Sequence, residues 1–321
     1  MRDFPAYLSM IESRLKECSS PKAPDSLYLP IRYTLEGGGK RLRPVLLLAA
    51  CEAVGGNPDS AINQAAAIEM FHNFTLLHDD LMDHADMRRG RATVHKRFDE
   101  RQAILSGDTM LTLSTQLLTK DCPPALLADA LAIFNATAIE IYEGQQYDLD
   151  FESRDDVTVD EYLCMIRLKT SVLLGAACAI GALMGGANHK VIKAFYRYGE
   201  RLGLAFQLQD DLLDTYGDPI VFGKEIGGDI INDKKTWLRI TAMCEDKTGV
   251  VANETLSPSP DSVKIERVKK VYDTLNLAER CGDLIDRYIA EAEEAVSKVT
   301  MTRTALDFFV DLARSTRTRT H

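Results

Sequence analysis

Residues 202–214 read LGLAFQLQDDLLD, an apolar run at helical spacing that ends in three carboxylates. A second stretch is built the same way: MFHNFTLL at 70–77 leads through His78 into DDLMD at 79–83. In each, the first and last aspartates stand at i and i+4, Asp79 with Asp83 and Asp210 with Asp214, with Asp80 and Asp211 beside them. On a helix that spacing puts two carboxylates on one face about 6 Å apart, where like charges cost a few tenths of a kcal/mol. A chain that accepts this cost twice, each time at the end of an apolar helix, needs a cation there. One DDxxD alone could equally be a solvated helix face or a cap; the repeated apolar lead-in argues against that. The donors are all hard oxygens, with no cysteine and no histidine pair, which favours Mg²⁺, with Mn²⁺ acceptable, over zinc. Mg²⁺ takes few protein carboxylates and completes its shell with water and phosphate oxygens. Two facing clusters could therefore clamp one diphosphate.

The surrounding sequence predicts an all-α chain. No proline interrupts 59–122 or 125–218, which leaves room for long helices. Ile62, Ala65, Ala66, Glu69, Met70, Asn73, Phe74 and Leu77 recur at helical spacing, as do Leu127, Leu131, Phe134, Ala138 and Ile141. Turn residues cluster at 55–58, 121–124, 152–157, 185–189, 216–228 and 257–261. About ten to twelve helices are expected. No repeat or low-complexity segment divides them, so one domain over 1–321 is the simplest organisation, with a loosely ordered basic tail at 314–321.

Composition narrows the function. The chain has 321 residues, is 45% apolar and carries a net charge of −10, so it can bury a sizeable core and has no globally basic surface for nucleic acid. The seven cysteines include no CxxC, and the N-terminal MRDFPAYLSM has no apolar signal core, so a reducing, cytoplasmic setting is expected. The apolar stretch 172–187 is rich in Gly and Ala and shorter than a membrane span, so it reads as a tightly packed core helix rather than a stable membrane insertion.

Against this acidic background two basic clusters stand out. GGGKRLRP at 37–44 sets Lys40, Arg41 and Arg43 among glycines and ahead of Pro44, which suits the first turn of a helix. MRRGR at 87–91 follows the first aspartate motif, so Arg88 and Arg89 can pair with its carboxylates or with phosphate. The 37–44 segment could also be a plain loop with a basic rim. Lys224 and Lys234 gain meaning by flanking the second motif. A di-iron bundle would need two Glu-x-x-His motifs, and only Glu69–His72 qualifies. A phosphohydrolase built on His78–Asp79 would need a further upstream histidine, and His72 is the first in the chain.

Taken together, these residues resemble the trans-isoprenyl diphosphate synthases. The family's GGKRxRP loop, first DDxxD with RRG, KT pair, FQxxDDxxD and GKxxGxDxxxxK occur in order at Gly38–Pro44, Asp79–Gly90, Lys169–Thr170, Phe206–Asp214 and Gly223–Lys234. The match spans 37–236, roughly two thirds of the chain. The resemblance implies a helical bundle around a central cavity, the isoprenoid synthase fold, in a homodimer. It implies that Lys40, Arg43, His72 and Arg89 bind isopentenyl diphosphate and that Arg88 holds the allylic diphosphate. It further implies that Asp79, Asp83, Asp210 and Asp214 bind Mg²⁺, with Asp80 and Asp211 beside them. Lys169, Thr170, Gln207, Lys224 and Lys234 would then bind the allylic diphosphate or the cation it forms. Phe74 and Thr75, five and four residues before the first aspartate, would form the floor that sets product length. One aromatic there suggests geranylgeranyl diphosphate, with farnesyl diphosphate as the alternative. Two further readings are a class I terpene cyclase, which has no use for the 37–44 loop, and a non-catalytic synthase subunit, which tends to lose aspartates that are all present here.

Overall fold

The structure, a computed structural model, describes residues 1–217 and 226–318. It is helical nearly throughout, as expected. In chain order the helices are α1 Phe4–Cys18, α2 Asp25–Leu35, α3 Leu42–Ala53, α4 Ile62–Met82, α5 Val94–Arg97, α6 Glu100–Thr119, α7 Pro124–Glu152 and α8 Val159–Ile166. They continue with α9 Val172–Met184, α10 His189–Tyr216, α11 Gly228–Ile231, α12 Trp237–Glu245, α13 Val250–Leu256, α14 Asp261–Thr274, α15 Leu277–Ser297 and α16 Arg303–Thr318. A π-helical turn, Arg167–Ser171, links α8 to α9.

The chain divides into two compact units. The first comprises Met1–Asn135, Ala176–Tyr196 and Thr300–Ala305. Its centre is α4, buried on nearly every side from Asn63 to Leu77, so an all-round apolar sequence gives an all-round buried helix. Helix α3 is buried from Pro44 to Cys51. Gly181 of α9 lets that helix approach α3: a Cβ there would lie 2.1 Å from the Leu47 carbonyl oxygen. Gly107 of α6 does the same for α4, where a Cβ would meet the His78 ring at 2.0 Å.

The second unit comprises Ala136–Gly175, Arg197–Val299 and Leu306–His321. Helix α15 buries one stripe, Leu277, Cys281, Ile285, Tyr288, Ile289, Ala292 and Val296, and shows charge on the other side. Here too glycines replace side chains at close approaches. A Cβ on Gly199 would sit 2.3 Å from the Leu174 carbonyl oxygen, and one on Gly144 would sit 2.3 Å from the Lys169 amide nitrogen.

Two findings differ from the sequence reading. A two-stranded antiparallel hairpin, β1 Met87–Arg88 with β2 Arg91–Ala92, interrupts the helices; it is too short for periodicity to reveal. The expected loose tail is helical as far as Thr318. Phe309 and Ala313 are buried, Arg314 pairs with Glu293 at 2.7 Å and Arg317 with Asp286 at 3.3 Å, so both arginines have acidic partners at the surface. The apolar segments α7 and α8–α9 are long enough to cross a membrane, but 72% of the window in 159–184 is buried inside the protein.

Candidate active site

The two aspartate motifs close α4 and α10. In the first unit, Asp79 and Asp80 occupy the last turn of α4, and Asp83 is its exposed C-cap. The hairpin brings Arg88 back over them. Arg88 Nε donates to Asp80 Oδ1 at 2.6 Å, and Nη2 reaches Asp79 Oδ2 at 3.4 Å. Burial pushes the Asp80 carboxyl up, against the pull of Arg88. Arg89 and Gly90 form the hairpin tip with φ of 51° and 73°, so the chain reverses in two residues. This turn sends Arg89 away from Arg88 and onto the Gly38 carbonyl, which accepts from its Nη1.

The same glycine loop leads to Arg43 in the first turn of α3. Arg43 Nη1 lies 3.1 Å from His72 Nε2. Burial and the surrounding arginines, Arg43 first, hold His72 well below the usual histidine range, so it faces Arg43 as a neutral acceptor. Lys40 stands exposed in the loop. Thus Arg43 and His72 lie together, and Arg89 reaches the 37–41 loop that precedes them. Gly37 and Arg89 also line an open cleft, together with Tyr33, Asn73, Asp80, Arg88 and Arg91.

Arg41, which the sequence offered as one more basic residue of the loop, has a different task. It is 3% exposed and donates to Glu69 at 2.8 Å, to Glu12 at 2.8 Å and to the Leu35 carbonyl at 2.7 Å. Asn73 completes this network by donating to Glu69 at 2.9 Å. Arg41 has φ 50° and precedes α3 directly, so the buried ion pair fixes where α3 starts and hence where Arg43 points. One turn before the aspartates, Phe74 is buried between Phe71 and His78, with centroids at 5.5 and 4.8 Å, and Thr75 donates to the His72 carbonyl at 2.8 Å.

In the second unit Asp211 and Asp214 meet neutral donors. Tyr162 of α8 donates its hydroxyl to Asp211 Oδ2, and Gln207 donates to Asp211 Oδ1 at 3.1 Å. Burial, aided by Asp229, pushes Asp211 up to about 7. Asp214 Oδ2 accepts from the Asp229 backbone amide at 2.9 Å, which seats the start of α11 on the motif. Lys169 and Thr170 lie in the π-helical turn, a local geometry frequent at functional sites. Lys169 pairs with Asp148 at 2.5 Å, and Thr170 donates to Gln207 at 3.2 Å. Lys234 is exposed just beyond α11, and Lys224 lies outside the described residues.

Sequence reasoning missed Tyr162, Asp148, Gly144 and the Arg41–Glu69 pair. The glycines left a signal: Gly144 and Gly203 sit inside long helices, where glycine costs roughly 1 kcal/mol without a packing reason. The reason is the π-helical turn, which Gly144 meets at Lys169 and Gly203 meets at Ser171.

Among the described residues no group of three His, Cys, Asp or Glu converges as a ready metal cage. The oxygen-only donor sets still suit Mg²⁺, which is held by one or two carboxylates and completed by substrate phosphate oxygens.

Comparison with known proteins agrees with this geometry. The polyprenyl synthetase profile matches residues 24–275. The geranylgeranyl diphosphate synthase of Methanosarcina mazei is 43% identical over 235 residues, covering 73% of this chain and 72% of that one. A (2E,6E)-farnesyl diphosphate synthase of Mycobacterium bovis is 44% identical over 198 residues, covering 62% and 55%. A crystal structure of a geranylgeranyl pyrophosphate synthase superposes with a TM-score of 0.94 at 39% identity and full coverage of both chains. With its helical architecture, its two aspartate motifs and these relatives, the chain belongs to the polyprenyl synthetase family.

Proposed function

We propose that this prenyltransferase condenses isopentenyl diphosphate with an allylic diphosphate, releasing diphosphate, and that its product is geranylgeranyl diphosphate. The observation that carries the reading is the convergence of Arg43, His72, Arg89 and the 37–41 loop beside the Arg88-bridged aspartates. One group of cations serves one diphosphate, and its neighbour serves the other.

In this reading Lys40, Arg43 and Arg89 hold the isopentenyl diphosphate by its phosphate oxygens, and neutral His72 orients Arg43. Arg88, Lys169, Lys224 and Lys234 hold the allylic diphosphate and stabilise the charge it gains as its C–O bond breaks. Mg²⁺, or Mn²⁺ in its place, held by Asp79, Asp83, Asp210 and Asp214, would supply further charge neutralisation on that leaving group. The Thr170 and Gln207 oxygens stabilise the allylic cation. The isopentenyl double bond attacks it, and the proton released passes to the departing diphosphate. The chain acts as one synthase domain over 1–321, in the cytoplasm and as a homodimer. A second copy would cover α7, whose Ile139, Tyr142 and Tyr147 are 57%, 42% and 46% exposed.

The deciding assay combines purified protein, labelled isopentenyl diphosphate, an allylic primer and Mg²⁺, with product length read out. Twenty-carbon product supports the proposal, and fifteen-carbon product moves it to a farnesyl diphosphate synthase. Absence of incorporation by the protein alone favours the cyclase or the non-catalytic subunit. With Phe74 and Thr75 as the floor, Phe74→Ala lengthens the product, and an unchanged distribution removes Phe74 from that role.

A further inference from the structure

The segment after the second motif contains a buried charge cluster that the reaction above does not use. Asp233 follows α11 with φ 53°, a left-handed conformation that glycine adopts without cost and aspartate does not. Its carboxylate holds two buried cations. Oδ1 lies 2.8 Å from Arg239 Nη1, and Oδ2 lies 2.8 Å from Lys264 Nζ. Arg239 and Lys264 are 3% and 2% exposed. Lys264 also donates to the Ile231 carbonyl at 3.0 Å, which closes the C-terminus of α11, and Arg239 donates to Thr255 at 2.6 Å.

Packing alone does not call for this arrangement. Apolar residues of similar volume commonly replace a buried ion cluster without loss of stability. What the cluster does provide is a fixed turn. Helices α12 and α14 reach it from two sides and pin one residue in a left-handed conformation. The next residue is Lys234, exposed, with its amide bonded to the Asp229 carbonyl at 2.9 Å. Asp229 is itself tied to Asp214. Backbone and side-chain bonds therefore run without a break from the second aspartate motif to Lys234, and the cluster anchors their far end.

We propose that Asp233, Arg239 and Lys264 are positioning residues that lock the turn after α11 and so aim Lys234 at the allylic diphosphate. This rests on the reading of Lys234 as a ligand of that diphosphate. It gives the sequence beyond 236 a part in the chemistry that no motif revealed.

The test is a kinetic cycle between the cluster and Lys234, on the full chain with Mg²⁺. The triple variant D233G/R239L/K264M removes the charges together, keeps a residue suited to the left-handed turn and leaves no buried ion unpaired. We expect its kcat to fall about 10- to 100-fold, the scale of a misplaced catalytic group, while KM for isopentenyl diphosphate stays within about twofold. Lys234→Ala should fall similarly. The quadruple variant should be no worse than Lys234→Ala, because groups that act through one another are non-additive. A merely structural cluster would multiply the two losses, and that outcome overturns the proposal, as does a triple variant with wild-type kcat. If Lys234→Ala retains wild-type kinetics, the role given to Lys234 fails and this inference with it; an impaired Lys234→Ala beside an unimpaired triple variant removes the inference alone. Asp233→Asn, which weakens both ion pairs and keeps the side chain, runs the same cycle should the triple variant not fold.

Discussion

Asp79 and Asp80 of the first aspartate motif meet a guanidinium, and Asp211 of the second meets two neutral side-chain donors. Arg88 spans Asp79 and Asp80, whereas Asp211 receives a tyrosine hydroxyl and a glutamine amide, and Asp214 receives a backbone N–H. The setting of the first motif extends the pattern, since Arg41 and Glu69 make a buried ion pair beneath it. Burial raises both Asp80 and Asp211; the Arg88 guanidinium opposes it at Asp80, whereas at Asp211 burial and the neighbouring Asp229 outweigh Tyr162, Lys234 and Gln207, and the carboxyl rises to about 7. Identical pentapeptide patterns thus give Asp80 a guanidinium partner and Asp211 a tyrosine hydroxyl and a glutamine amide.

The contrast is broken most severely at Arg41. Arg41→Leu leaves Glu69 buried without its guanidinium, and about 3–5 kcal/mol of stability should be lost in urea unfolding. At the motif itself, Arg88→Ala should lower kcat by ~10²- to 10³-fold, the usual cost of removing one donor to developing charge. Arg88→Lys should not restore it, because one ammonium cannot span two carboxylates. On the neutral side the effects are smaller. Tyr162→Phe leaves Asp211 short of a donor and should cost about 1–3 kcal/mol, read by the same unfolding assay. The smallest effect lies where Tyr162 is anchored, in the capping box that starts α8. Thr158→Ala should cost about 1 kcal/mol. In that box the Thr158 amide, then Arg154 and the Thr158 hydroxyl, hold Glu161 down to about 2. Because the folded value is the lower one, the stabilisation is present above the ordinary 4.5 and is lost as pH falls towards about 2. Glu161→Gln should flatten the stability curve in that window, and an unchanged acid limb would count against the capping role.

Much of this was legible in the sequence because it is local. Helical periodicity and proline spacing reveal the helices, and the aspartates announce themselves by i, i+4 repetition. Arg88 was readable as their partner because it follows them closely. Tyr162 was not, since a tyrosine in the apolar run of α8 reads as core until the fold brings it to Asp211, 49 positions away. Arg41's task was hidden for the opposite reason: three cations in one loop look alike, and only burial against Glu69 separates the structural one. The tail failed on composition. Its basic residues suggested solvation, yet Arg314 and Arg317 find acidic partners on α15.

The hairpin tip has one more consequence. Arg88 and Arg89 are chemically identical neighbours, and in a helix or an ordinary strand their separation would depend on pitch or pleat. Here the sign of one dihedral separates them: Arg88 keeps a strand conformation and turns to the aspartates, and Arg89 at φ 51° turns to the glycine loop. Handedness, rather than side-chain identity, thus sends one cation to the aspartates and the other to the glycine loop. In a chain of net negative charge, two adjacent codons supply both addresses.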